Sequence, residues 1–444
     1  MNQRDSTWQF YTLKSSVIVT FAYCDHCLWS QQCHNNQTSL YQIFQYNDRQ
    51  IGQTVYISRV MNNSAMEIML RRVVLLAVLC TEALKCSATC SGEMPNLPQP
   101  GQSYSGSVLV FDPIIGQTER TFKIHLPSGY STLNDVETPL VLDFHGYTGD
   151  SSSQEFYGGL DDVADEDADG GFIVVHGDGW GNPSAGPSGW GSWNCSRTDG
   201  PLGPPCAVPR PRGFELQCYD TCPECDPLNS CDWSACLDDE IFVRTLVDYI
   251  NDNYCLDINS IHLTGYSNGG MFSYFVATKL SDIVASIAPN AASPLIGFGD
   301  VPKDMPISLI DFQGLLDSVI PYDANSPFGL GEGPHNSAIS SDYYYYEQKP
   351  ETIAKWVSEY ECASTDDYPT PMDGINGWSC SIWSGCFAGV EIVHCTGLHD
   401  HDYPFGNEEP PYIGGTRILW NFMKTHTKLA NFRTHPTVDS SNSA

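Results

Sequence analysis

Ile261-His262-Leu263-Thr264-Gly265-Tyr266-Ser267-Asn268-Gly269-Gly270-Met271 is the stretch on which the reading of this chain turns. A β-rich run ends at Gly265, and a helical pattern opens just after Ser267. Residues 265–269 therefore spell Gly-x-Ser-x-Gly between a strand and a helix, the setting that holds a serine on a sharp turn at the C-terminal edge of a sheet. Glycines are needed on either side because side chains there would collide. The turn predicts Ser267 as a nucleophile with its hydroxyl over a helix N-terminus.

Outward from this stretch, strand and helix patterns alternate. Apolar β-rich runs fall at 108–111, 121–126, 139–144, 172–176, 260–264, 306–312 and 389–395. The central runs are almost continuously apolar, as parallel strands buried on both faces require. Helical stripes fall at 239–253, with Asp238 or Asp239 as N-cap, and at 269–280, 351–361 and 416–426, the last with Thr416 as its cap. The alternation predicts an α/β fold with a mostly parallel central sheet flanked by helices. Two segments break the rhythm: residues 195–236, with seven cysteines, and residues 324–348, which contain Tyr343-Tyr344-Tyr345-Tyr346. Long insertions on such a scaffold often shape a binding site.

A serine hydroxyl needs a base to take its proton, and the base needs an orienting acid. On a sheet of this kind the chain order is Ser, then acid, then His. Asp317 lies in the loop after the strand 306–312, where the acid belongs; Asp311 sits inside the strand pattern and reads as structural, with Asp323 as the weaker rival. The last strand, 389–395, leads into Thr396-Gly397-Leu398-His399-Asp400-His401-Asp402-Tyr403-Pro404, so His399 and His401 compete for the base. An oxyanion hole needs two donors. The Asn268 amide is one candidate, and the Tyr147 amide, in the loop His145-Gly146-Tyr147 after 139–144, is the other. His145 reads as a residue that shapes this loop. The reaction so assembled needs no cofactor and no metal.

Charge narrows the partners. Lys and Arg number 21 against 53 Asp and Glu, a net charge of −32, so nucleic acid and anionic membrane surfaces are excluded as partners. The imbalance lies beyond residue 90, because residues 1–90 carry 7 basic and 5 acidic groups. With 41% hydrophobic and 12% aromatic residues the chain supports a core. Thirteen of the 18 cysteines fall between Cys90 and Cys395, which favours disulfides and an oxidising compartment over a zinc knot in the Cys222–Cys236 stretch.

The run Val73–Cys80 after Arg71-Arg72 reads as a secretory signal peptide over 66–88, too short to span a bilayer. Cleavage after Ala83 or Ala88 fits, and residues 1–65 then form an unassigned upstream extension, with Met66 or Met69 as the start. The expected order continues with an arm at 91–107, a catalytic domain at 108–426 and a polar tail at 427–444. The protein is thus expected to be secreted and extracellular, free of membrane after cleavage. Asn194-Cys195-Ser196 is a glycosylation sequon.

With these residues in place, the chain over roughly 105–426 resembles the secreted polyhydroxybutyrate depolymerase and feruloyl esterase group, in the sense of carbohydrate esterase family 1. The resemblance rests on His145-Gly146, Gly171–Val175 with the following Asp-Gly, Ser192-Trp193-Asn194, Asp238-Asp239, Tyr254–Asp257, Gly265–Met271 and Gly314-x-x-Asp317-x-x-Ile-Pro-Tyr322. The family's His-x-Trp-Pro stretch matches His401-Asp402-Tyr403-Pro404 and selects His401 over His399. Departures are Tyr403 for the tryptophan, Gln313 for a histidine and Leu398-His399-Asp400 for small residues. The resemblance implies an α/β-hydrolase fold and a serine esterase acting through an acyl-serine. It implies feruloyl or acetyl esters of cell-wall polysaccharide as substrates, with hydroxyalkanoate polyester as the alternative, and Trp193 and Asn194 beside the cleft. A serine peptidase of the same fold and a secreted binding protein with a vestigial elbow are the other classes the residues allow.

Overall fold

A computed structural model describes residues 99–428, apart from 132–135, 183–185, 191–199, 217, 223, 233–234, 304, 368–376 and 405–412, and the backbones of five strands between residues 11 and 60. The chain divides into two units, Met1–Cys86 and Ser87–Ala444. In the first, Tyr11–Leu13, Ser16–Thr20 and Ser30–His34 form an antiparallel sheet, and Tyr41–Asn47 pairs with Thr54–Val60. Residues 1–65 show no sustained periodicity in sequence, so these strands were not anticipated. The expected signal segment at 66–88 lies outside the described residues.

The second unit is built on one ten-stranded sheet. Its strands are β1 (Gln102–Asp112), β2 (Gly116–Leu126), β3 (Thr138–Phe144), β4 (Ile173–Gly177), β5 (Leu256–Tyr266), β6 (Ser286–Asn290), β7 (Ser308–Gly314), β8 (Ser364–Asp367), β9 (Trp378–Ser384) and β10 (Ile392–Gly397). Their order across the sheet is β8-β9-β10-β7-β6-β5-β3-β4-β2-β1. The six central strands, β10 to β4, are parallel to their neighbours, and antiparallel strands close both edges. β1 begins at Gln102, inside the stretch expected to be an arm.

Side chains of β3 alternate between two cores, as strand pleating demands. Leu140, Leu142 and Phe144 pack under α3 (Asp239–Asn253), α4 (Asn268–Lys279) and α5 (Lys349–Glu359). Val141 faces the opposite side, with α2 (Leu160–Glu166) and α6 (Ile413–Met423). α1 (Ser151–Gly158) opens with a capping box in which Asp150 and Ser153 satisfy each other's backbone amides. On α6, Trp420 stacks on Phe172 at 3.9 Å between ring centres. Helices on both faces of a mainly parallel sheet, with the serine turn at its centre, make this an α/β-hydrolase fold.

Of the two expected caps, one is corrected and one is resolved between its alternatives. Thr416 does not start its helix: α6 begins three residues earlier, and the Thr416 hydroxyl donates to the Gly158 carbonyl at 2.5 Å, tying α6 to α1. Asp238 is the N-cap residue of α3, whereas Asp239 lies inside the helix and its buried carboxylate accepts from Arg120 at 2.5 Å. The expected disulfides are present as Cys206–Cys231, Cys218–Cys225, Cys222–Cys236, Cys362–Cys386 and Cys380–Cys395. Cys222 and Cys236 also lie close to Asp232, but their sulfurs are bonded to each other, which removes them as zinc ligands. No helix among the described residues is long and apolar enough to cross a membrane.

A buried histidine sits between two carboxylates below the sheet. His176 Nδ1 is 3.1 Å from Asp143 and Nε2 is 3.0 Å from Asp161. Burial disfavours its charge, but Asp161 and Asp143 outweigh burial and raise its pKa to about 10. A histidine with a raised folded-state pKa contributes stability fully below its unfolded value near 6.5, and loses it as pH rises through about 10. The gap in melting temperature between wild type and His176→Gln is therefore expected to be widest near pH 6.5 and to narrow toward pH 10. A gap that stays constant across that window would contradict the charge assignment.

Candidate active site

The serine turn stands where β5 ends and α4 begins. Ser267 has φ 54° and ψ −118°, a region that costs a non-glycine residue about 1–3 kcal/mol. Its strain is held by the surroundings: the Ser267 amide donates to the Asn290 carbonyl at 2.9 Å, and its carbonyl accepts from Met271 at 2.9 Å. The flanking glycines answer to close approach. A Cβ on Gly269 would lie 2.0 Å from the Phe144 carbonyl oxygen, and one on Gly265 would lie 2.5 Å from the Gly269 carbonyl carbon. Because the obstacle is backbone, Gly269→Ala is expected to lower stability by about 2 kcal/mol or more, read by thermal denaturation.

Three residues far apart in sequence converge here. His401 Nε2 is 2.9 Å from Ser267 Oγ, and His401 Nδ1 is 2.8 Å from Asp317 Oδ2. Asp317 is fully buried, yet its carboxylate is satisfied: Oδ1 accepts from the Val319 and Ile320 amides at 2.9 and 2.8 Å, and Oδ2 also accepts from Gln313 Nε2 at 2.8 Å. A carboxyl group so held presents a fixed oxygen to the imidazole. This fixes the proton on Nδ1 and leaves the Nε2 lone pair toward the serine.

The loops bearing the acid and the base are stitched together. Leu315 and Leu316 amides donate to the Gly397 and His399 carbonyls at 2.8 and 3.0 Å. A Cβ on Gly314 would meet the His399 carbonyl oxygen at 2.4 Å. Asp400 Oδ1 accepts from the Ser318 amide at 2.8 Å and the His401 amide at 2.7 Å, spanning both loops. Hydrogen bonding from Ser318 holds the Asp400 carboxyl below its ordinary range. His399 instead stacks its ring on Trp378, 5.0 Å away and 8° from parallel. The structure thus brings His401, and not His399, to the serine.

Three side chains here have structural consequences that the sequence did not disclose. Gln313 donates to both Asp317 and the Ile320 carbonyl, bracing the acid loop. Tyr403 stacks on Tyr266 at 5.1 Å, and its buried hydroxyl accepts from Gln154 at 2.5 Å. Burial raises the Tyr403 phenol well above its usual value, so it stays neutral. Tyr266 itself donates to the His401 carbonyl at 2.5 Å. Spacing carries no signal for such braces, although the proximity of Asp400 to His401 in sequence is one.

The other predicted residues fall as follows. The Asn268 amide opens α4, while its side-chain oxygen accepts from the Trp190 amide at 2.7 Å. Tyr147 follows Gly146, where an added Cβ would lie 3.4 Å from Ser267 Cβ, so this loop flanks the hydroxyl. His145 braces the loop, with Nδ1 donating to the Gly146 carbonyl at 2.7 Å and Nε2 accepting from Gly179 at 2.8 Å. Burial lowers its pKa, which keeps the ring neutral. Asp311 accepts from Lys349 and His394, and Asp323 organises a turn by accepting from the Asn325 amide. Trp193, Asn194 and the sequon Asn194–Ser196 lie outside the described residues.

Fold and geometry together define an α/β-hydrolase with a Ser–His–Asp constellation at the C-terminal edge of its sheet. Searched against protein-family models, the chain matches none. It is similar to a bifunctional acetylxylan esterase/xylanase of Neocallimastix patriciarum, 19% identical over 310 residues, covering 69% of this chain and 33% of that protein. It is also similar to a probable feruloyl esterase C of Aspergillus niger, 23% identical over 163 residues, covering 37% of this chain and 50% of that protein. Among solved structures, an acetyl xylan esterase from Aspergillus awamori aligns with TM-score 0.39 at 13% identity, covering 67% of this chain and 94% of that one. The chain spans a third and a half of the length of the two curated relatives it matches. These relatives are acetylxylan and feruloyl esterases, the group that the motifs resemble.

Proposed function

We propose that the protein is a serine carboxylic-ester hydrolase, secreted, that cleaves feruloyl or acetyl esters from cell-wall polysaccharide. The observation that carries this is the unbroken line of 2.9 and 2.8 Å contacts from Ser267 through His401 to Asp317. In the proposed reaction Ser267 Oγ attacks the ester carbonyl as His401 Nε2 takes its proton, and Asp317 steadies the imidazolium. The Asn268 and Tyr147 amides receive the developing oxyanion. The alcohol leaves with the proton from His401, and a water activated by the same nitrogen then releases the acid from Ser267. Besides the ester and that water, these steps use only groups of the chain.

The names of the relatives support the ester and polysaccharide side of the reading, and the disulfides support an oxidising destination. The test is a substrate panel: acetylated xylan and methyl ferulate are expected to be hydrolysed faster than hydroxybutyrate oligomers or peptides. A preference for the polyester would replace the polysaccharide assignment, and no turnover of any ester would end it. His399→Ala is expected to keep kcat within about threefold, because its ring is engaged with Trp378 rather than Ser267. A loss comparable to that of a triad residue would return His399 to the reaction.

A further inference from the structure

The two long excursions from the sheet meet each other beside the Tyr147 loop. The Ala207 amide donates to the Tyr343 carbonyl at 3.0 Å, the Tyr345 amide donates to the Pro205 carbonyl at 2.9 Å, and Cys206 bridges to Tyr344. In the cysteine-rich insertion, Tyr219, Cys222, Ala235 and Cys236 form a small core with the following Leu237, and Tyr147 packs against it. Where these segments join, a cavity of about 250 Å³ opens, with Tyr147, Phe214 and Tyr344 among its walls. It is large enough for one monosaccharide ring.

Arg210, also on the wall, is 5% exposed and rigidly placed. Its Nε donates to the Phe214 carbonyl at 2.7 Å and its Nη2 to the Asp342 carbonyl at 2.8 Å, with the guanidinium 4.6 Å over the Tyr344 ring. Its buried Nη1 has no hydrogen-bond partner among the described residues. The guanidinium is thus a fixed positive wall of the cavity, held by backbone carbonyls and the Tyr344 ring. Around this one cation the cavity carries three acids, Glu215, Asp232 and Asp342. That excess repels an anion and suits a neutral polyol, whose hydroxyls donate to the carboxylates and whose C–H faces lie on the aromatic rings.

We propose that this cavity is the subsite for the sugar residue that carries the ester, on the leaving-group side of the bond. The inference rests on the ester-hydrolase reading. Its geometric support is Tyr147, which lines the cavity and directly follows Gly146, where an added Cβ would lie 3.4 Å from Ser267 Cβ, so the cavity and the nucleophile share one loop. Phe214 and Glu215 stand at the exposed rim, where replacement leaves the core untouched.

Two measurements on the full chain test this. The first compares kcat/KM for a pentose ester with that for the methyl ester of the same acid, using acetate and ferulate as acids. The ratio of sugar ester to methyl ester is expected to fall at least tenfold in Phe214→Ala and several-fold in Glu215→Gln, through KM. The second titrates wild type with a neutral pentose oligosaccharide by calorimetry, where binding is expected and Phe214→Ala should weaken it about tenfold. Ratios within twofold of wild type in both variants, or no oligosaccharide binding, would overturn the subsite. Binding without turnover of any ester would instead sink the hydrolase reading and leave the sugar site standing.

Discussion

Replacing Ser267 by alanine is expected to lower kcat for ester hydrolysis by roughly 10⁵- to 10⁶-fold, leaving only the residual rate that oxyanion donors and substrate binding support. The size follows from the arrangement: the three groups act as one unit, so removing the nucleophile forfeits the contributions of His401 and Asp317 as well. The substitution removes one oxygen from a residue that is 6% exposed, and its backbone is anchored on Asn290 and Met271, so folding is expected to survive. Matching circular dichroism and melting curves for the two proteins, alongside turnover of a chromogenic acetate ester, make the check. Equal turnover by wild type and S267A would remove the nucleophile from the account.

The second large effect lies beneath the acid loop. Asp311, in β7, is fully buried and accepts from Lys349 at 2.7 Å, Tyr274 at 2.5 Å and His394 at 2.8 Å. Burial alone would raise the Asp311 pKa; Lys349 and His394 outweigh it and hold the carboxyl below its ordinary range. Lys349 is equally buried, so each charge depends on the other. Lys349→Met strands a buried carboxylate, and breaking such a pair costs about 3–5 kcal/mol. At about 2–4 °C per kcal/mol for a domain of this size, melting should drop by about 6–20 °C. The double replacement Asp311→Leu with Lys349→Met should recover much of that loss, because neither charge is then left alone. A single variant melting within about 2 °C of wild type would mean that the pair contributes nothing.

The parts of the fold that were legible in sequence are those where one signal dominates. The central strands are near-continuous apolar runs, and Asp239–Asn253 carries a clear stripe, so both could be read. β6 was missed because Ser286-Ile287-Ala288-Pro289-Asn290 contains a proline inside a buried strand, which argues against a strand on sequence grounds. α1 and α2, eight and seven residues long and mostly polar, were given no element from sequence; a capping box starts α1, and burial of Leu160, Val163 and Ala164 holds α2. Within the site, Ser267 and Asp317 were readable because each follows the end of a strand in a fixed order, whereas strand order left His399 and His401 open and the family resemblance selected His401. Asp400 and Tyr403 were not, since their partners Ser318 and Gln154 come from other parts of the chain, and Gln313 was not, since its bonds to Asp317 and Ile320 depend on how the acid loop folds back on itself.

Three of the disulfides both begin and end between residues 206 and 236. Their loops are short, so the cross-links order this one segment and bind it to no strand of the sheet. The segment is therefore fastened twice, by its own cross-links and by Cys206 and Cys231 seated in the main core. Its exposed side chains, Phe214 and Glu215 among them, can change without loosening either fastening.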